Sequence, residues 1–248
     1  MGETAVLKPK LSRLKLSGIL EHLDLRLEQA IKGKWSYTEF LLNLFQDEIE
    51  RRDYHMLALR LKKSNLDPKK RLDNFDFNIN PSLNERCIRE IALCDFIEKK
   101  ENILFLGPTG VGKTHLSHAI GHEAIRKDYD VYTERVTVIL GVLNAGRADG
   151  SYMRRLQNLC KIHLLILDDF GLNDLTKTQQ DDLYELIYGR YENTSTIITS
   201  NRNMNEWFSL FNNQLLASAA MDRLVHRAKK ITIEGDSYRV MQYNAKNN

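Results

Sequence analysis

Residues Gly107 to Thr114 read Gly-Pro-Thr-Gly-Val-Gly-Lys-Thr, directly after the apolar run Ile103-Leu104-Phe105-Leu106. A buried strand, a glycine-rich turn and a helix beginning at Lys113 form the context this octad needs to bind phosphate. Gly107, Gly110 and Gly112 free the backbone to aim N–H groups at an anion, because no Cβ blocks positive φ or close approach. Pro108, Thr109 and Val111 complete the turn between them. Lys113 has the length and charge to reach the β- and γ-phosphates, and the Thr114 hydroxyl is suited to ligate Mg²⁺. The octad therefore implies a nucleoside triphosphate site.

Alternating segments place that loop in an α/β fold. Strand-like runs at Ile103–Leu106, Val131–Thr133, Leu164–Leu167 and Ser195–Thr199 are separated by helical stretches after the loop, near 138–143, and from Gln179 to Tyr191. Such alternation predicts a parallel sheet with helices on both faces. Leu164–Leu167 runs straight into Asp168 and Asp169, which sets two carboxylates at the C-terminal edge of that sheet, beside the loop. Asp168 is the candidate partner of Mg²⁺ through water. Asp169 is the candidate for orienting or deprotonating an attacking water. Asn201, immediately after the last of these strands, can hydrogen-bond both a γ-phosphate and that water.

The first third of the chain reads differently. Leu16, Ile19, Leu20 and Leu23, then Phe40, Leu41, Leu44, Phe45 and Ile49, recur at helical spacing with no strand pattern between them. Gly33 interrupts the run, and Ser36 with Glu39 three residues later predicts a new helix start. Trp35, Tyr37 and Phe40 are placed in the core of this module rather than on a base-stacking surface. Asn65 to Asn84, rich in Asn and carrying Pro68 and Pro81, reads as a linker. Two domains follow: residues 1–75, helical, and residues 76–248, nucleotide-binding. The whole of the net charge of +3 falls within residues 1–80, in clusters such as Lys8-Lys10-Arg13-Lys15 and Lys69-Lys70-Arg71 that suit a phosphate-rich partner.

No apolar run approaches the ~20 residues of a membrane span, and Met1-Gly2-Glu3-Thr4 has no apolar signal core, so no membrane partner is expected. Cys87, Cys94 and Cys160 form no C-x-x-C pair and fit a reduced, cytoplasmic setting. His115, His118 and His122 share a helix face but lack the further ligands of a metal centre. The guanine-reading N-K-x-D of a GTPase is missing.

With the phosphate loop, the stretches Asp168-Asp169-Phe170-Gly171, Arg190-Tyr191-Glu192 and Ser195 to Asn201 followed by Trp207 resemble the AAA+ ATPases. Among these the chain is most similar to the IstB-like family, helper ATPases of bacterial insertion-sequence transposition related to the helicase loader DnaC and the initiator DnaA. The resemblance extends over the N-terminal helical segment and the linker around Asp73 to Phe77. It implies an AAA+ P-loop core preceded by a small all-helical domain, with a C-terminal lid reduced or absent. It further implies Mg²⁺-dependent ATP hydrolysis in a bacterial cytoplasm, stimulated by oligomerisation and by DNA. The partners implied are duplex DNA, further copies of the chain and a cognate transposase. A DnaC-type loader of a replicative helicase is the alternative.

By the same resemblance Lys113, Asp169 and Asn201 take the catalytic positions, although Asp169 stands where the wider superfamily has Glu. Ala217 to Leu224 resembles the segment bearing an arginine finger, which makes Arg223 the residue that completes a neighbouring subunit's site, with Arg227 in reserve and Arg239 a candidate second sensor. Arg135, Arg147, Arg154 and Arg155 lie on an insert where DnaA-like relatives carry DNA-facing helices.

Overall fold

The computed structural model describes residues 3–80 and 83–238; the candidate Arg239 lies outside them. The chain divides into two compact units, Met1–Arg60 and Leu61–Asn248. The larger unit thus begins ahead of the boundary near residue 75 that linker composition gives. The reason is that the chain from Asn65 to Asn80 hydrogen-bonds to the nucleotide-binding unit at several points, described below.

The smaller unit is built from helices α1 (Glu3–Arg13), α2 (Ser17–Gly33) and the first part of α3 (Tyr37–Ser64). Leu11, Ile19, Leu23 and Leu44 form its buried core, with Leu16, Leu20, Leu27 and Phe40 around them. Leu16, at the N-cap of α2, gives that helix no side-chain cap. Glu48 of α3 supplies one instead: its carboxylate accepts from the Gly18 amide at 2.7 Å. The helices cross tightly there, since a Cβ on Gly18 would lie 2.6 Å from the Asp47 carbonyl oxygen. Asp47 accepts two hydrogen bonds from Arg26, at 2.8 and 2.6 Å, which lower its carboxyl pKa. Ser36 caps α3 by accepting from the Glu39 amide at 3.2 Å. Tyr37 departs from its expected core position: it sits in the first turn of α3 with 91% of its surface exposed, while Phe40 packs on the core.

In the larger unit five strands form one parallel sheet: β1 (Asn102–Leu106), β2 (Val131–Arg135), β3 (Leu164–Asp168), β4 (Ser195–Ser200) and β5 (Ala228–Thr232), in the order β2-β3-β4-β1-β5. The near-continuous apolar runs of β1 and β3, and the full burial of β4 beside them, are those of strands covered on both faces. The helices are α4 (Glu85–Ala92), α5 (Asp95–Glu98), α6 (Lys113–Arg126), α7 (Val136–Ala148), α8 (Tyr152–Lys161), α9 (Lys177–Arg190) and α10 (Gln214–Val225). Leu104, Leu106, Leu165, Leu167 and Ile198 pack on one face against residues of α7, α9 and α10, around Phe170 and Trp207. On the other face Ile166 meets α6 at Gly121, where an added Cβ would lie 3.1 Å from the Ile166 Cδ1. Among the described residues no helix is long and apolar enough to cross a membrane.

The histidine face of α6 holds backbone. His118 Nδ1 accepts from the Asp67 amide at 3.0 Å, His122 Nε2 lies 3.0 Å from the Asp67 carbonyl oxygen, and His115 Nε2 lies 2.9 Å from that of Arg71. Burial lowers the His118 pKa to about 4. A histidine depressed in the fold stabilises it fully above the unfolded value near 6.5, and loses that contribution as pH falls from there toward 4. The loss is on the order of 3 kcal/mol, and protonation also removes the Nδ1 lone pair that holds Asp67. The protection factor of the Asp67 amide, its exchange rate referred to the intrinsic rate at each pH, is therefore expected to be high at pH 7.5 and to fall between pH 6.5 and 4. Unchanged protection across that range would contradict the role given to His118.

Candidate nucleotide site

The phosphate loop connects the end of β1 to the start of α6, so its amides open on the N-terminus of a 14-residue helix. Gly107, Gly110 and Gly112 have φ of 143°, 89° and 99°. At Gly107 a Cβ would fall 2.0 Å from the Ile233 carbonyl oxygen, so both conformation and space demand glycine. Lys113 Nζ donates to the carbonyl oxygens of Gly107 and Pro108 at 2.7 and 2.6 Å, lying across its own loop. Pro108, Thr109 and Val111 form the turn that these glycines bracket.

Strand register brings the remaining groups to this point. β4 lies between β1 and β3, pairing Leu106 with Ser200 and Leu167 with Ile198. The Thr114 hydroxyl donates to both Asp168 carboxylate oxygens, at 2.9 and 3.2 Å. Thr199, the penultimate residue of β4, donates through Oγ1 to the same carboxylate and accepts from the Asp169 amide at 3.1 Å. One buried hydroxyl thus sets both acidic residues. Asp169 itself is exposed and has φ 56°, a left-handed conformation that Asp tolerates better than bulkier residues. Asn201 follows β4 directly and is exposed next to the loop, where the Gly107 amide donates to the Ser200 carbonyl at 3.2 Å.

Behind this edge, Ser200 Oγ donates to the Phe170 carbonyl at 2.7 Å and accepts from Trp207 Nε1 at 3.1 Å. The Phe170 and Trp207 rings lie 4.6 Å apart. Thr199 and Ser200 were not singled out by sequence, because hydroxyl residues in a β-branched run read as strand formers. The hard oxygen donors Thr114 Oγ1 and Asp168, already in contact, suit Mg²⁺.

Two segments border the loop. Phe75 packs beside Gly112, where a Cβ would lie 2.7 Å from its ring, and meets Phe77 and His115 edge-on at 4.9 and 5.2 Å. After β5 the chain passes over the loop, with the Ile233 amide donating to the Leu106 carbonyl at 2.8 Å and the Tyr238 amide to that of Gly110 at 3.1 Å. Asn80 Nδ2 ties the two segments together by donating to the Glu234 carbonyl at 2.7 Å.

The remaining sequence candidates lie elsewhere. Arg223 is in the last turn of α10, whose Leu224 carbonyl accepts from Asn102 at the start of β1. That is the N-terminal edge of the sheet, opposite the loop. Arg227 follows α10 with φ 60° and is exposed. Of the four arginines on the β2–β3 crossover, Arg135 and Arg154 are exposed. Arg147 donates to buried Asp182 and covers the Tyr152 ring at 4.1 Å. Arg155 donates to Ser151 Oγ, the Val142 carbonyl and Asp149 at 2.6, 3.1 and 2.8 Å, joining α7 to α8.

Residues 9–246 match the model of the IstB-like ATP-binding proteins. The chain belongs to this family. Among IstB-like relatives it is 38% identical over 234 residues to a protein of Mycobacterium tuberculosis named for ATP binding in an insertion sequence, covering 94% of this chain and 93% of that one. It is 35% identical over 232 residues to the ATP-binding protein of insertion sequence IS21 from Pseudomonas aeruginosa, covering 94% and 88%. Similar solved structures include domain III of the Thermotoga maritima replication initiator DnaA, with TM-score 0.58 and 20% identity over 74% of each chain. The DnaC helicase loader is another, with TM-score 0.53 and 24% identity over 60% of this chain and 86% of that one. These share the fold of the nucleotide-binding unit, a parallel sheet flanked by helices.

Thr199→Val removes the hydroxyl shared by Asp168 and Asp169 and keeps the strand's β-branching. ATP affinity is expected to stay within about threefold while turnover falls about tenfold or more, since misplacement of catalytic groups by an ångström is that costly. A fluorescent-nucleotide titration beside a steady-state ATPase assay separates the two quantities. Wild-type turnover in the variant would remove Thr199 from the site.

Proposed function

We propose that this chain hydrolyses ATP as a helper of insertion-sequence transposition, assembling with copies of itself on duplex DNA, remodelling the duplex and assisting a transposase. The observation that carries this reading is the near-full-length match to proteins named for ATP binding in insertion sequences, on a chain whose loop, two acids and Asn201 meet at one sheet edge. The work fits a bacterial cytoplasm, where such DNA lies.

On this reading Lys113 leaves the loop carbonyls for the β- and γ-phosphates, and the loop amides with the α6 N-terminus hold their charge. Thr114 would hold Mg²⁺ directly and Asp168 through water; when bound, the ion neutralises charge on the phosphate oxygens. Asp169 orients the attacking water and takes its proton, and Asn201 donates to the γ-phosphate. Asp169 is shorter than Glu and stands exposed in the turn after β3, whereas the Asp168 carboxylate is already engaged by Thr114 and Thr199. That fits a division in which one acid serves the ion and the other the water.

Arg223 is assigned to a neighbouring subunit's site. Its helix abuts the start of β1 whereas the loop follows the end, a separation of roughly 15 Å at about 3.3 Å per residue. Supplied in trans, its guanidinium offsets charge building on the transferring phosphoryl group. DNA contact is assigned to the basic clusters of residues 1–75 and to Arg135 and Arg154, because Arg147 and Arg155 already serve the α7–α8 hairpin.

Turnover of ATP is expected to rise when long duplex DNA is added, with little dependence on sequence, and duplex affinity to fall steeply with salt as counterions are released. Stimulation by single-stranded DNA and a replicative helicase, with none by duplex, would overturn this reading in favour of a loader.

A further inference from the structure

α9 carries Tyr184, Tyr188 and, at its C-cap, Tyr191, spaced i, i+4 and i+7 and so aligned on one helix face. The three rings converge on Arg223, whose guanidinium carbon lies 5.8, 5.3 and 5.8 Å from their centroids. Tyr184 and Tyr188 stack, centroids 6.2 Å apart and planes 23° from parallel. Tyr191 is fixed in turn, its hydroxyl 3.0 Å from His226 Nδ1. The chain leading to Tyr191 is anchored by the neighbouring Arg190, buried, which donates to Thr196 Oγ1 at 3.0 Å and to the carbonyls of Leu159 and Ile162 at 2.5 and 3.0 Å.

Arg223 makes no ion pair among the described residues, and one N–H donates to the Ala219 carbonyl of its own helix at 2.8 Å. A carboxylate partner would have held the side chain equally well, but it would also have cancelled the charge and occupied the N–H fork that an incoming phosphate needs. Ring faces hold a guanidinium through its cationic field and leave its N–H edge available. The surroundings therefore fix the position of Arg223 without neutralising it. That is the requirement for a cation destined for an anion on another molecule.

We propose that Tyr184, Tyr188 and Tyr191 are positioning residues that hold Arg223 for the neighbouring subunit's γ-phosphate, a role that rests on the trans assignment of Arg223. Tyr188 is the ring to test, since it is 56% exposed and the nearest of the three. Tyr188→Leu is expected to lower turnover at saturating ATP roughly threefold, and Tyr184→Leu/Tyr188→Leu about tenfold, with KM for ATP unchanged, as exposed cation–π contacts of ordinary strength require. Tyr188→Phe, which keeps the ring, is expected to retain wild-type turnover. Mixing the double variant with Lys113→Ala is expected to restore turnover, because an intact Arg223 platform then faces an intact Lys113 across one interface.

Arg223→Ala, measured alongside, separates the two levels of the claim. If it lowers turnover while Tyr188→Leu and the double variant match wild type, the tyrosine platform is refuted and the trans arginine stands. If Arg223→Ala itself matches wild type, the underlying assignment falls. Equal losses in Tyr188→Phe and Tyr188→Leu would assign the effect to the hydroxyl and overturn the cation–π role. Should the double variant unfold, the comparison of Tyr188→Leu with Tyr188→Phe and the mixture of Tyr188→Leu with Lys113→Ala decide the question.

Discussion

Parallel pairing of β4 between β1 and β3 is the constraint on which the nucleotide site depends. With Leu106 opposite Ser200 and Leu167 opposite Ile198, the phosphate loop, the acidic pair and Asn201 are delivered to one edge of the sheet. A slip of one residue in β4 would turn Thr199 away from Asp168 and bring its neighbour round instead, because strand side chains alternate. The apolar side chains on both faces resist such a slip. Those facing α7, α9 and α10 and those facing α6 are alike buried, so a slip would force both faces to repack.

The core of this arrangement was legible in the sequence because each part carries its own local signal. Continuous apolar runs point to β1 and β3, a β-branched run to β4, and glycine spacing to the loop. What sequence did not disclose depends on tertiary contact. β5 reads Ala-Lys-Lys-Ile-Thr, and two lysines on an edge strand mask its periodicity while protecting the edge from association. α8 and α4 were not singled out either, being short helices whose polar residues are spent on partners distant or local. Thr199 looks like any strand-forming residue until Asp168 is seen beside it. The three tyrosines of α9 did have a readable signal in their i, i+4, i+7 spacing, but their target on α10 lies more than 30 positions along the chain.

Tertiary contacts decide the roles of several side chains whose sequence pattern leaves them open. Tyr37 is aromatic and helical in spacing, yet the first turn of α3 projects it away from the core that Phe40 joins. Arg147 and Arg155 look like free basic residues in sequence, whereas one neutralises buried Asp182 and the other closes the turn between α7 and α8. The histidines of α6, set aside as metal ligands, instead satisfy backbone groups of residues 67–71. In consequence the segment entering from α3 is fastened to the same helix whose first turn holds Lys113 and Thr114. Phe75, lying between His115 and Gly112, extends that fastening to the phosphate loop itself.

The proposed site, with phosphate-binding parts from one subunit and an arginine from another, has a kinetic signature independent of any mutation. ATP turnover per subunit should depend on protein concentration, while nucleotide affinity, set by the loop, should not. Measuring both across the range in which sedimentation reports the passage from monomer to oligomer tests this directly. With the arginine supplied in trans, turnover per subunit climbs with the assembled fraction from near zero in the monomer. Constant turnover per subunit down to concentrations at which only monomer remains would contradict it.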